Sequence, residues 1–108
     1  MLTSNFTIAD THLKHLRGQD NLKTFSQSRT IGSGQAMTNY FCSTCGTLMY
    51  RVGAAFLGVS VLCIGTVDDF NLHETKLKPR VEQYVKDHVS WFSVVGEGAE
   101  KFEGMAKF

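Results

Sequence analysis

The sequence predicts a mainly β domain, and three observations support this. β-branched and aromatic residues dominate the middle of the chain, and proline occurs once against ten glycines. Short apolar or alternating stretches are separated by glycine-containing turns, which is typical of an antiparallel sheet with short strands. The 108 residues are 43% apolar, so we expect a single small domain over residues 1–108 with one core.

The predicted strands follow one another at short intervals. After the first strand, Asn5–Ala9, Asp10 or Thr11 is expected to cap a short helical turn that ends at Gly18. Residues 59–65 are apolar on both faces, so we expect them inside the sheet. The other predicted strands cover residues 21–27, 35–41, 47–52 and 80–85.

Several connecting segments also have a predicted role. Residues 30–34 form a hairpin-type loop that lacks the lysine and the helix of a phosphate-binding loop. Residues 53–58 form an apolar loop, and Asp68 and Asp69 start a turn into a polar connection. We expect Trp91 and Phe92 to pack against the sheet, and the tail from Gly96 to be loose.

Charge and cysteine content argue against several protein classes. The formal net charge is +1 and the basic residues are scattered, which disfavours nucleic-acid and anionic-membrane partners. No apolar run is long enough to span a bilayer, and the first residues lack the pattern of a secretory signal. Three cysteines fit reduced thiols better than a disulfide framework. We therefore expect a soluble, cytoplasmic protein.

The most informative motif is the pair Cys42 and Cys45, followed directly by Gly46. A tight turn between two extended segments brings both sulfurs to one tetrahedral ion, and glycine relieves crowding of the backbone. The motif therefore predicts a zinc knuckle at the tip of a hairpin. Two alternatives remain: a redox dithiol, which favours a helix N-terminus, and two buried thiols without metal.

Two protein ligands are half of a structural zinc site, so other residues must be considered. His12 and His15 could complete the site, although this spacing also follows from one helical period on a solvated turn. Cys63 lies in the most apolar predicted strand and is expected to be a packed thiol. His73 and His88 are predicted to be exposed and are weak candidates for acid–base chemistry.

Several segments resemble, in order, the family of glutathione-dependent formaldehyde-activating enzymes and centromere protein V domains. The resemblance extends over nearly the whole chain. The matching segments are residues 22–26, 38–47, 64–69, 78–85 and 89–91. The resemblance implies a β-tent fold of antiparallel sheets held by a structural zinc, with Cys42 and Cys45 as its second pair of ligands.

The chain also departs from the family pattern. No cysteine precedes Cys42, whereas the family carries its first structural pair and its catalytic cysteines near the N-terminus. The resemblance thus implies a chain truncated at its start, with no catalytic residue that can be named. Water, His12, His15 or a second copy would then complete the zinc shell, and a homodimer through an exposed sheet edge or a shared zinc is expected.

Two functions follow from the resemblance. The first is the zinc-binding domain of a carbon–sulfur lyase that acts on glutathione or a similar small thiol adduct. The second is a catalytically inactive, zinc-stabilised β module that binds a protein or a small ligand. The missing cysteines count against the first, and the apolar loop at residues 54–57 gives the second only weak support.

Overall fold

The fold is built around one antiparallel sheet. The computed structural model describes residues 3–91 and 99–106. The sheet has five strands in the order β1-β5-β4-β3-β2. The strands are β1 (Asn5–Ala9), β2 (Leu22–Gln27), β3 (Met37–Cys42), β4 (Leu48–Gly53) and β5 (Val59–Cys63). The predicted mainly β class and all five of these strands are confirmed, with ends that differ by at most two residues.

Strands β2 to β5 form a continuous meander, and β1 pairs with β5 at the far side. The position of β5 between β1 and β4 confirms its predicted place inside the sheet. Phe6 and Ile8 are half-buried while their neighbours in β1 are exposed, as alternation in a half-covered strand requires. The Ser60 hydroxyl, 2% exposed, donates to Asp10 Oδ1 at 2.6 Å and fixes the end of this pairing.

The predicted helical turn after β1 is shorter than expected. A 3-10 turn covers Asp10–His12, and the chain is extended again at Leu13. A second 3-10 turn, Gln19–Asn21, follows Gly18, whose φ of 76° is in the left-handed region. Asp10 is the first residue of the first turn, and Ala9 occupies the N-cap position. The Asp10 carboxylate instead accepts a hydrogen bond from Ser60 on the neighbouring strand.

One short α-helix interrupts the connection after the sheet. Helix α1 covers Phe70–Glu74, and the Asp69 carboxylate accepts a hydrogen bond from Asn71 N at 3.0 Å as its N-cap. The predicted turn at this acidic pair is therefore confirmed, whereas the helix itself was not predicted. With five residues, it carries too little amphipathic pattern to be read from sequence.

The C-terminal part differs most from expectation. Strand β6 covers Val81–Glu82 and pairs in parallel with β7, Glu100–Lys101. The predicted strand over residues 80–85 is wrong beyond Glu82, because Tyr84 has a φ of 57° and a 3-10 turn follows it. The expected loose tail is also wrong where β7 forms.

The predicted packing of Trp91 is wrong, because this side chain is 81% exposed. Phe92 and Gly96 lie outside the described residues.

Ile64 and Ala106, each 6% exposed, are the buried apolar residues of the described part. The loop predicted at residues 53–58 is confirmed as a turn over residues 54–58, with Leu57 81% exposed, whereas Gly53 is the last residue of β4. No helix within residues 3–91 and 99–106 has the length and apolar character needed to cross a membrane.

Candidate metal centre

The turn between β3 and β4 presents the two neighbouring thiols. Cys42 is the last residue of β3, and its N–H donates to Thr47 O at 2.9 Å. Gly46 N donates to Cys42 O at 2.8 Å and closes the turn. Gly46 has a φ of 77°, which explains why glycine stands at this position. Cys42 and Cys45 therefore lie on one tight turn at a hairpin tip, as predicted.

The backbone of this turn favours a thiolate at Cys42. The N–H groups of Cys45 and then of Thr44 hydrogen-bond to Cys42 Sγ, and they lower the pKa of the Cys42 thiol below its ordinary value. A hydrogen bond with the Cys45 side chain acts in the same direction. Because the thiolate is the form that binds a metal, this geometry prepares Cys42 as a ligand.

Asn21, immediately before β2, holds the turn from the side. Its Oδ1 accepts a hydrogen bond from Ser43 Oγ at 2.6 Å, and its Nδ2 donates to Thr44 Oγ1 at 3.1 Å. Its Nδ2 also lies 3.5 Å from Cys42 Sγ as a donor. The Asn21 backbone carbonyl accepts from Ser43 N at 2.9 Å. The sequence analysis did not identify Asn21. The sequence shows it only as a polar residue at the start of a predicted strand.

Cys45 is exposed and has a partner of its own. Its Sγ lies 3.1 Å from the hydroxyl of Thr47, on the far side of Gly46. Both sulfurs are thus held by groups of the same turn, while Cys45 remains open to solvent. The arrangement supplies two adjacent sulfur ligands, which is half of a tetrahedral zinc site.

The structure does not bring the two candidate histidines to the thiols. His15 Nε2 lies 3.0 Å from the Tyr50 hydroxyl, and His12 Nδ1 lies 3.1 Å from Thr11 Oγ1. In the part of the chain that the structure describes, no three His, Cys, Asp or Glu side chains are grouped to hold a metal. The expectation that His12 and His15 complete the site therefore receives no support from this geometry.

The remaining candidates lie elsewhere. Cys63 is half-buried at the end of β5, consistent with its predicted role as a packed thiol. His73 was predicted to be exposed, but it is half-buried, and its Nε2 donates to Val67 O at 2.9 Å. It also stacks on Phe70, with ring centroids 5.5 Å apart. His88 is exposed, as predicted.

A second cluster lies in the middle of the sheet. The rings of Tyr40 and Tyr50 stack with centroids 4.5 Å apart, and the His15 ring lies tilted against Tyr50 with centroids 5.7 Å apart. Burial, and then the charges of Tyr40 and Asp10, raise the pKa of Tyr50. The Tyr50 phenol therefore remains protonated beyond its usual range.

The comparisons with known proteins give one positive finding. The sequence model of the glutathione-dependent formaldehyde-activating enzyme family matches residues 1–87. Neither the curated proteins nor the solved structures gave a significant match.

Proposed function

The chain belongs to the glutathione-dependent formaldehyde-activating enzyme family, and from this membership we propose that it is a zinc-binding domain of the carbon–sulfur lyase type. Its substrate class would be the adducts of glutathione or a similar small thiol with an aldehyde. We further propose that the five-stranded sheet is part of a β-tent. The single observation that carries the proposal is the Cys42–Cys45 turn.

The residues of this turn would supply two of the four ligands of a structural zinc ion. Cys42 and Cys45 would hold it as thiolates, and the N–H groups of Thr44 and Cys45 stabilise the charge on Cys42. Asn21 and Thr47 orient the two sulfurs from outside the metal shell, as outer-shell partners do in metal sites. A bound zinc supplies Lewis acidity and lowers the pKa of a thiol or water that it binds.

The chemistry of the proposed substrate balances without a redox partner. When a thiol adds to formaldehyde, a carbon–sulfur bond forms and the thiol proton passes to the former carbonyl oxygen. The reverse reaction breaks the same bond and returns the proton. The two knuckle cysteines are structural ligands in this proposal, so they hold the sheet in place around the reaction rather than perform it.

Zinc binding is tested by measuring metal content in three single variants. Zinc is measured by elemental analysis after gel filtration of reduced protein. We expect Cys42→Ser and Cys45→Ser to lose the metal, and Cys63→Ser to retain it. Cys63 is the matched control because it is a half-buried thiol outside the turn. Equal zinc content in all three variants would overturn the proposal.

A second function is supported by the way the thiols are held. Hydrogen bonds from Thr44, Cys45 and Thr47 tie both sulfurs to the turn, which suits a structural metal. The proposal of an inactive, zinc-stabilised β module follows from this. An assay of adduct formation from glutathione and formaldehyde separates the two functions. Turnover that is lost on chelation supports the lyase, whereas retained zinc without turnover supports the module.

A further inference from the structure

The outer side of β1 is an unpaired sheet edge. Within residues 3–91 and 99–106, β1 stands at the end of the sheet and pairs with β5 alone. Ile64 N donates to Ser4 O at 3.0 Å, and Asp10 N donates to Gly58 O at 2.9 Å. The backbone N–H and C=O groups of the even-numbered residues of β1 therefore point towards β5. Because backbone groups alternate along a strand, the N–H and C=O groups of Asn5, Thr7 and Ala9 point away from the sheet.

The two edges of the sheet are protected to different degrees. Strand β2, at the opposite edge, carries Lys23, a charge of the kind that discourages edge pairing. Strand β1 contains no charged residue and no proline. Its exposed positions are Asn5, Thr7 and Ala9, which are small enough to allow another strand to approach. β1 is therefore the edge better suited to pairing.

The exposed area of the chain indicates that a large surface remains to be covered. Its accessible surface is 8337 Å². A folded monomer of 12.0 kDa is expected to expose roughly 6,000 Å². The difference, roughly 2,300 Å², leaves area for an interface with a second copy, of which the pairing of a five-residue strand would cover a part.

We propose that β1 pairs with β1 of a second copy of this chain, antiparallel across a twofold axis at Thr7, to give one continuous sheet. This register places Asn5 opposite Ala9 of the second copy and Thr7 opposite itself, so every outward N–H and C=O of the strand finds a partner. It also sets Phe6 opposite Ile8 of the second copy, an aromatic–β-branched pair on the half-buried face. A twofold axis closes the assembly at two copies.

A pair of matched proline variants tests the edge. Thr7→Pro and Thr24→Pro each remove an N–H that points outward, from β1 and from β2, so neither removes a hydrogen bond of the existing sheet. Mass is measured by light scattering, with circular dichroism to confirm folding. We expect wild type and Thr24→Pro to have twice the 12.0 kDa chain mass. Thr7→Pro is expected to dimerise roughly 10- to 100-fold more weakly, since it loses the bonds on the axis.

A second experiment does not depend on proline. Thr7→Lys and Thr7→Glu each place like charges opposite one another at the axis, and each is expected to be monomeric. A mixture of the two is expected to restore the dimer. A monomeric wild type at high micromolar concentration, a Thr7→Pro protein that dimerises as tightly as wild type, or a mixture that stays monomeric would overturn the proposal. A dimer that dissociates on chelation would also overturn it, in favour of a shared zinc, so this test is separate from the test of zinc binding.

Discussion

The two turns at opposite ends of β4 are built in different ways. The Cys42–Thr47 turn is polar and is held from outside by Asn21, a residue of another strand connection. The turn from Gly53 to Gly58 is apolar and exposes Leu57. Backbone hydrogen bonds support it, from Phe56 N to Gly53 O within the turn and from Asp10 N to Gly58 O at its end. The connecting turn is thus held by backbone hydrogen bonds, whereas the thiol turn also has the side-chain support from Asn21 that is typical of a ligand site.

Removal of the outside support should give the largest effect. We expect Asn21→Ala to weaken zinc binding roughly 10- to 100-fold, because the turn loses its hydrogen bonds to Ser43, Thr44 and Cys42. Competition with a chromophoric chelator measures the affinity. Leu57→Ala, in the other turn, is the control and should bind zinc like wild type. Equal affinity of the two variants would mean that the two turns do not differ in this way.

The glycines of the two turns provide a sharper comparison. Gly46 and Gly58 have φ values of 77° and 89°, and no atom crowds the Cβ position of either. Each substitution by alanine should therefore lower the free energy of unfolding by roughly 1–2 kcal/mol through backbone strain alone. Denaturant titration measures this loss. We expect Gly46→Ala, but not Gly58→Ala, also to weaken zinc binding.

The reactivity of the thiols offers a smaller effect. The lowered pKa of Cys42, caused first by the Cys45 N–H and then by the Thr44 N–H, increases its thiolate fraction at neutral pH. In metal-free protein we expect iodoacetamide to modify Cys42 several-fold faster than Cys63, which is half-buried in β5. Peptide mass spectrometry at several pH values follows both rates. Faster modification of Cys63 would contradict the lowered pKa of Cys42.

The smallest effect concerns the strand that joins the two turns. Burial raises the pKa of Tyr50 in β4, so the folded state favours the neutral phenol. The stabilisation is complete below the ordinary tyrosine pKa of about 10, and it is lost as the pH rises through the raised value. We expect the free energy of unfolding of wild type to fall over this range more steeply than that of Tyr50→Phe. Parallel slopes would show that Tyr50 does not contribute.

Much of the sheet can be predicted from the sequence, because short stretches of neighbouring residues determine where its strands and turns lie. Short alternating or continuously apolar stretches and glycine turns mark β1 to β5, and the cysteine spacing marks the turn of the candidate site. The support from Asn21 could not be predicted in this way, because Asn21 and Ser43 meet only after β2 has paired with β3. The error beyond Glu82 has a similar cause: the alternation of residues 80–85 favours a strand, but Tyr84 takes a left-handed conformation.

A single extra residue in β4 has a directional consequence for the thiols. Tyr40 is opposite Tyr50, but Phe41 is opposite Leu48, so Met49 has no counterpart in β3 and forms a bulge. A bulge bends its strand and increases the local twist of the strand pair, and this one lies next to the hairpin tip, directly after the turn. Met49 therefore helps to set the angle at which the tip leaves the sheet, and shortening the chain there would rotate both sulfurs relative to the rest of the molecule.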